Sequence, residues 1–181
     1  MATSVTSRMK VINGNITQLS VDAIVNAANE AMLGGGGVDG AIHRAAGPEL
    51  FEECRTVGGC PTGEARITAG YQLPAKHIIH TVGPFWHGDT HGEEKLLASC
   101  YTSSLRLAAE RKLKSIAFPC ISTGVYSYPA DLACATAIAA VAEWLRANEW
   151  PSEVIFCCFG SRDLGLYEAG LAKLERLSVT K

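Results

Sequence analysis

The sequence predicts an α/β protein, specifically a three-layer α/β/α sandwich around a mixed, largely parallel central sheet. Residues 23–27 form a short apolar run rich in β-branched side chains, which is typical of a strand buried on both faces of a parallel sheet. The second half of the chain alternates short apolar runs with long helical patterns, and this alternation implies helical crossovers between parallel strands. The chain has 181 residues, 48% of them hydrophobic, and is predicted to form one domain over residues 9–178.

Glycine, proline and asparagine delimit the predicted elements. Asn13-Gly14 ends the first strand, Gly47-Pro48 separates two helices, and the polar residues 1–8 are expected to be flexible. The predicted strands are Met9–Ile12, Ala23–Ala27, Ala65–Thr68, His77–Val82, Ser115–Phe118 and Val154–Cys158. The predicted helices are Val38–Ala46, Glu49–Val57, Glu93–Arg111, Ala130–Arg146 and Arg162–Leu177.

Composition and charge exclude several classes of protein. The net charge is −2 and no Lys/Arg stripe is present, so general nucleic-acid binding is not expected. No apolar run approaches the roughly 18 residues that span a membrane, and no signal-peptide pattern is visible, so a cytoplasmic protein is expected. The seven cysteines are scattered without a C-x-x-C pair, and His87 and His91 lie outside any helical pattern, so we predict buried thiols and no metal site.

Two loops that each follow a strand and precede a helix are the candidates for ligand binding. They are the glycine loop, residues 34–38, and the Ser122–Tyr126 loop. Ligands of α/β sheets bind beyond the carboxyl ends of strands, where glycine-rich backbone and helix N-termini present N–H groups to anions. Neither loop contains Lys or Arg, and both G-x-G-x-x-G and the P-loop Gly-Lys pair are missing. Four glycines can also form an ordinary flexible turn, so the glycine loop alone is weak evidence for a phosphate site. The presence of a second loop of the same kind strengthens that evidence.

Five ordered motifs resemble the macrodomain family. They are Gly14-Asn15-Ile16-Thr17, the segments 21–29 and 34–43, His80-Thr81-Val82-Gly83-Pro84 and the segment 119–126. The Gly-Gly-Gly-Gly-Val-Asp-Gly-Ala-Ile-His sequence is similar to the branch of O-acetyl-ADP-ribose deacetylases and mono-ADP-ribosyl hydrolases. The resemblance implies a hydrolase that acts on O-acetyl-ADP-ribose and on ADP-ribose attached to acidic side chains of proteins. It implies no metal and no cofactor.

The resemblance also implies roles for individual residues. Asn26 and Asn29 would contact the distal ribose, although asparagine after a strand is also an ordinary turn former. Tyr126 would pack over the distal ribose or the diphosphate, and Phe159 would stack on adenine, although without the family it would be assigned to the core. The two loops would wrap the diphosphate. The full ligand-binding set is Asn15, Ile16, Ala27, Gly34, Gly35, Gly36, Gly37, Val38, Ser122, Thr123, Gly124, Val125, Tyr126 and Phe159.

Asp39 is the candidate for the chemical step. By resemblance it positions and activates the water that attacks the ester or the modified ribose carbon. Because a carboxylate is a weak base at neutral pH, orientation of that water should contribute more than proton abstraction. The alternative is that Asp39 only caps its helix. His43 lies four residues further along the same helical face, where it could orient Asp39, contact the substrate or serve as a partly buried structural histidine.

Asn15 departs from the family pattern, whose first motif usually reads Gly-Asp-Ile-Thr. The Asp accepts a hydrogen bond from the adenine amino group, and an Asn carbonyl can accept it only without charge assistance. We therefore expect weaker binding or a relaxed base preference.

The sequence alone leaves two other functions open. The chain could be a binding module that reads ADP-ribose without turning it over, but such a module does not need a carboxylate beside the distal ribose. It could also regulate a protein partner through its surface, although no exposed helix has a distinctive apolar stripe.

Overall fold

The computed structural model describes residues 4–180. The strands are β1 (Met9–Asn13), β2 (Ala23–Ala27), β3 (Ala65–Ala69), β4 (His77–Thr81), β5 (Ser115–Phe118) and β6 (Glu153–Cys158). The α-helices are α1 (Gly37–Ala46), α2 (Pro48–Val57), α3 (Glu93–Glu110), α4 (Ala130–Ala147) and α5 (Ser161–Val179). Short 3-10 helices occupy Val5–Arg8 and Ile16–Gln18.

The strands form one mixed sheet in the order β1-β6-β5-β2-β4-β3. Neighbouring strands are parallel except for β3 and β4, which are antiparallel. In the central pair, Asn26 of β2 lies opposite His80 of β4. Because five strands run in one direction, their carboxyl ends meet at one edge of the sheet, where ligands of this architecture bind.

Helices cover both faces of the sheet. Ile24 faces the layer of α1 and α2 and belongs to the cluster that contains Ile42 and Leu50. Its neighbour Val25 belongs to the opposite cluster, which contains Leu105 of α3 together with side chains of α4 and α5. Consecutive strand residues point to opposite faces, so each central strand is buried on both sides. The predicted three-layer sandwich is confirmed.

Every predicted strand and helix is present, with ends that differ by at most two residues. The Ala23–Ala27 and Ser115–Phe118 strands have the predicted bounds. No helix among residues 4–180 is long and apolar enough to cross a membrane.

The N-terminal segment differs from its prediction. Val5–Arg8 forms a 3-10 helix instead of a flexible tail, while residues 1–3 lie outside the described residues. The Arg8 guanidinium donates hydrogen bonds to the carbonyl oxygens of Leu145, at 2.7 Å, and Glu149, at 2.8 Å, and to that of Pro151. A guanidinium offers several donors in a fixed fork, so one side chain satisfies three carbonyls at the end of α4 and before β6.

Candidate active site

The two predicted loops meet at a cavity of about 670 Å³ beyond the carboxyl ends of the parallel strands. The glycine loop forms one side and the Ser122–Tyr126 loop the other. No Lys or Arg lines the cavity within the described residues. Negative charge on a ligand here would therefore be held by backbone N–H groups and helix N-termini.

The backbone of the glycine loop needs glycine at specific positions. Gly34 and Gly37 have φ angles of +91° and +57°, a region that side chains rarely adopt. At Gly35, a Cβ would lie 3.1 Å from Asp39 Oδ2 and 3.4 Å from Asn29 Nδ2. The loop can thus pass close to both polar side chains because it carries none of its own.

The Ser122–Tyr126 loop is held against the segment that follows β4. The Trp86 amide donates to the Tyr126 carbonyl at 2.9 Å, and the rings of Tyr126 and Phe85 lie 3.8 Å apart between centroids. Ser122 has a φ of 67°, and its buried hydroxyl has no hydrogen-bond partner among the described residues. A Cβ on Gly83 would overlap Ser122 Oγ, so glycine there permits the close approach. The loop therefore packs against the segment after β4 and brings Ser122 and Tyr126 into the lining of the cavity.

Asp39 provides a buried carboxylate in the wall of the cavity. It is the third residue of α1, it is 5% exposed, and its Oδ1 accepts a hydrogen bond from Asn26 Nδ2 at 2.7 Å. Helix α1 has Gly36 at its N-cap and no side-chain cap, so the simple capping alternative is not supported. His43 Nε2 lies 3.4 Å from Asp39 Oδ1 but outside hydrogen-bond geometry.

Asn26 lies behind Asp39 rather than in the cavity wall. Its side chain is fully buried, and Nδ2 also lies 3.1 Å from His80 Nδ1. The other ring nitrogen of His80, Nε2, lies 2.9 Å from Thr68 Oγ1. Burial, with a smaller contribution from His43, lowers the pKa of His80 to about 3, so its imidazole is neutral at physiological pH.

Asn29 makes hydrogen bonds within the turn after β2 and also lines the cavity. Its Nδ2 donates to the Gly34 carbonyl oxygen at 3.0 Å, and its Oδ1 accepts from the Met32 amide at 3.1 Å. Each polar group retains capacity for a second hydrogen bond, and the residue lines the cavity. The turn role is thus present, and the ribose contact stays a prediction.

The end of β6 brings an aromatic side chain to the cavity. Phe159, at the end of β6, is 87% exposed, which corrects the alternative that it belongs to the core. Ile16 and Asn15 lie in the same cavity, and Asp163, in the first turn of α5, adds a second carboxylate. The cavity is therefore lined by the aromatic ring of Phe159 and the apolar side chain of Ile16, and also by the carboxylates of Asp39 and Asp163.

Thiols in the wall are not nucleophiles at neutral pH. A hydrogen bond with Cys158 and burial both raise the pKa of Cys120, and burial raises that of Cys157 to about 11. Among residues 4–180, no cluster of three His, Cys, Asp or Glu side chains is placed to hold a metal ion.

Comparisons with known proteins identify the family. The Macro domain family model matches residues 25–137. A macro domain-containing protein of Chlorobaculum tepidum is 62% identical over 161 residues, covering 89% of this chain and 94% of that protein. The chain belongs to the macro domain family.

Two further relatives have a named activity or a named ligand of their own. The human ADP-ribose glycohydrolase MACROD2 is 53% identical over 167 residues, covering 91% of this chain and 39% of that longer protein. The Trypanosoma brucei macrodomain, solved in complex with ADP-ribose, aligns with a TM-score of 0.87 and 44% identity, covering 93% of this chain and 71% of that one.

The macrodomain cavity gathers most of the residues that the sequence predicts. Three do not line it: Asn26 is buried beneath Asp39, while Gly34 and His43 line a neighbouring groove of about 450 Å³ beside α1 and α2. Sequence reasoning missed ten lining residues and also the network behind Asn26. The missed lining residues are Gly14, Thr17, Ala28, Ala41, Gly83, Pro119, Cys120, Ile121, Cys157 and Asp163.

Some missed residues carried a usable signal. The family motifs of the sequence analysis include Gly14, Thr17, Gly83 and Pro119. They also include His80, for which the sequence predicts no function. Asp163 has no comparable signal, because an acidic residue in the first turn of a helix is ordinary.

Proposed function

We propose that this macrodomain binds ADP-ribose and hydrolyses an ester on its distal ribose. The substrates would be O-acetyl-ADP-ribose and ADP-ribose esterified to acidic side chains of proteins. In this arrangement adenine stacks on Phe159, the diphosphate lies between the glycine loop and the Ser122–Tyr126 loop, and the distal ribose lies beside Asp39. The ADP-ribose complex of the Trypanosoma brucei relative and the glycohydrolase name of the human relative support this proposal.

The observation that carries the proposal is the carboxylate of Asp39. Its Oδ1 is held by Asn26, whereas its Oδ2 accepts no hydrogen bond from the described residues and can accept one from a water in the cavity. A module that only reads ADP-ribose gains nothing from a buried negative charge beside the ribose, since burial of a charge costs free energy.

The chemistry needs one water and no further reactant. With O-acetyl-ADP-ribose, the water oxygen bonds to the acyl carbon, the bond from that carbon to the ribose oxygen breaks, and the ribose oxygen leaves as a hydroxyl with one proton of the water. With ADP-ribose on an acidic side chain, the water oxygen bonds to the ribose carbon that carries the ester, the bond from that carbon to the ester oxygen breaks, and the side-chain carboxyl group leaves with one proton of the water. Asp39 orients the water by accepting a hydrogen bond from it, which reduces the entropic cost of attack. The N–H groups around the diphosphate anchor the remote part of the substrate, so binding free energy fixes the ester against that water.

The test compares two carboxylates of the same cavity. Asp39→Ala should lower the rate of ADP-ribose release from O-acetyl-ADP-ribose by about 100-fold or more, while calorimetry shows that ADP-ribose still binds. Asp163→Ala is the matched control, because Asp163 also lines the cavity from the first turn of a helix and has no place in this mechanism. Binding without turnover by the parent protein would establish a reader module instead, and equal turnover by Asp39→Ala would refute the role of Asp39.

A further inference from the structure

A buried row of polar side chains connects strand β3 to the carboxylate in the cavity. It runs from Thr68 on β3 through His80 on β4 and Asn26 on β2 to Asp39 on α1, with successive separations of 2.9, 3.1 and 2.7 Å. All four residues are buried. The arrangement places a histidine two hydrogen bonds away from the reacting group, without contact to the cavity.

The donors and acceptors in this row allow one arrangement of protons. Asn26 Nδ2 can only donate, so His80 Nδ1 must accept and the ring proton must lie on Nε2. Nε2 then donates to Thr68 Oγ1, whose own proton goes to the Ala69 carbonyl oxygen at 3.2 Å. The lowered pKa of His80, caused first by burial, agrees with a neutral ring that keeps its Nδ1 lone pair.

This arrangement also fixes the orientation of the Asn26 amide. The two hydrogens of Nδ2 point to His80 and Asp39, while Oδ1 is buried without a hydrogen-bond partner among the described residues. If the amide rotated by half a turn, its oxygen would face the Asp39 carboxylate, and two acceptors would repel each other. The Nδ1 lone pair of His80 opposes that rotation.

We propose that His80 is a positioning residue for hydrolysis: it holds the amide of Asn26 so that Asn26 donates to Asp39 and directs the carboxylate towards the ribose end of the cavity. The inference rests on the proposed function. A purely structural histidine would need neither a single tautomer nor a lone pair on the side of Asn26.

A spectroscopic experiment on the parent protein tests the proposed proton arrangement without requiring turnover. In protein labelled with ¹⁵N-histidine, His80 should show an unprotonated Nδ1 and a protonated Nε2 at neutral pH. His43, the other histidine near Asp39, is distinguished by a His43→Gln control spectrum. A protonated Nδ1 on His80 would overturn the inference, whatever the enzymatic activity of the protein.

Two variants then test the effect on catalysis. His80→Leu removes the acceptor with little change in volume, whereas His80→Asn offers a side-chain oxygen near the position of Nδ1. The Leu variant should lower kcat for O-acetyl-ADP-ribose by about 10- to 100-fold with little change in KM, because the misplaced group acts in the chemical step. The Asn variant should recover part of kcat.

The outcomes separate the inference from the proposed function. If the parent protein has no hydrolase activity, the proposed function fails, and the tautomer of His80 still decides whether the positioning network exists. If the folded Leu variant retains the parental kcat, or if both variants lose activity and thermal stability in equal measure without rescue by Asn, the positioning role is refuted.

Discussion

Replacement of Phe159 tests where the base of the ligand lies. The ring is 87% exposed at the rim of the cavity, so it contributes little to the core and much of its area is available to a ligand. A fully covered aromatic side chain buries about 150–250 Å², and a base on one face would cover about half of that, or about 100 Å². At about 25 cal/mol per Å² this corresponds to about 2.5 kcal/mol, within the 1–3 kcal/mol typical of base stacking on an aromatic side chain.

Phe159→Ala should therefore weaken ADP-ribose binding by roughly 60-fold, measured as Kd by titration calorimetry. The free energy of unfolding should change by less than about 0.5 kcal/mol, since the ring is already in water. Phe159→Trp should retain affinity, and Phe51→Ala, which removes a partly exposed phenylalanine of the neighbouring groove, should bind like the parent. A Phe159→Ala protein with the parental Kd would refute base stacking at this end of the cavity.

Three further predictions concern recognition, packing and pH. Asn15→Asp should tighten ADP-ribose binding about five-fold, because a charged hydrogen-bond acceptor is worth about 1 kcal/mol more than a neutral one. Equal Kd values for the two proteins, measured by calorimetry, would refute this prediction. Gly83→Ala should cost about 1–3 kcal/mol of stability, because its Cβ would overlap Ser122 Oγ; scanning calorimetry should show a lower Tm, and an unchanged Tm would contradict the packing argument. On acidification from pH 6.5 towards 3, the His80 imidazole takes up a proton in the unfolded state but not in the folded state. This titration of His80 should therefore lower the free energy of unfolding by up to about 1.4 kcal/mol per pH unit. Urea unfolding at pH 7 and 5.5 should show a smaller fall for His80→Asn, and identical falls would show that another group is responsible.

Local pattern predicts the elements of this fold well because the central strands are buried on both faces. Residues 23–27 are uniformly apolar around a single asparagine, and few other structures suit such a short β-branched run between turn residues. The start of α1 follows in the same way from the glycine loop. The order of the strands has no such local signal, since it depends on which crossovers pack best, and the antiparallel direction of β3 is set by its short connection to β4.

The residues of the candidate site also differ in how far the sequence predicts them. Residues that line the cavity sit on loops whose glycines are visible in the sequence, so the predicted set and the observed lining largely coincide. Asn26 was predicted to reach the ribose, but its strand position points it beneath α1. Its partner His80 becomes visible only once the register of β2 and β4 is known, because the two residues lie 54 positions apart.

The N-terminal 3-10 helix and α5 determine where other polypeptides can be joined to this fold. Val5–Arg8 precedes β1 and therefore lies at the amino ends of the parallel strands. The cavity lies at the opposite edge of the sheet, beyond the carboxyl ends of the same strands. Helix α5 starts next to the cavity and runs for 19 residues, about 28 Å, which returns the chain to the edge with the amino ends. A fluorescent protein, an affinity tag or a surface tether joined before Val5 or after Val179 would therefore attach opposite the mouth of the cavity.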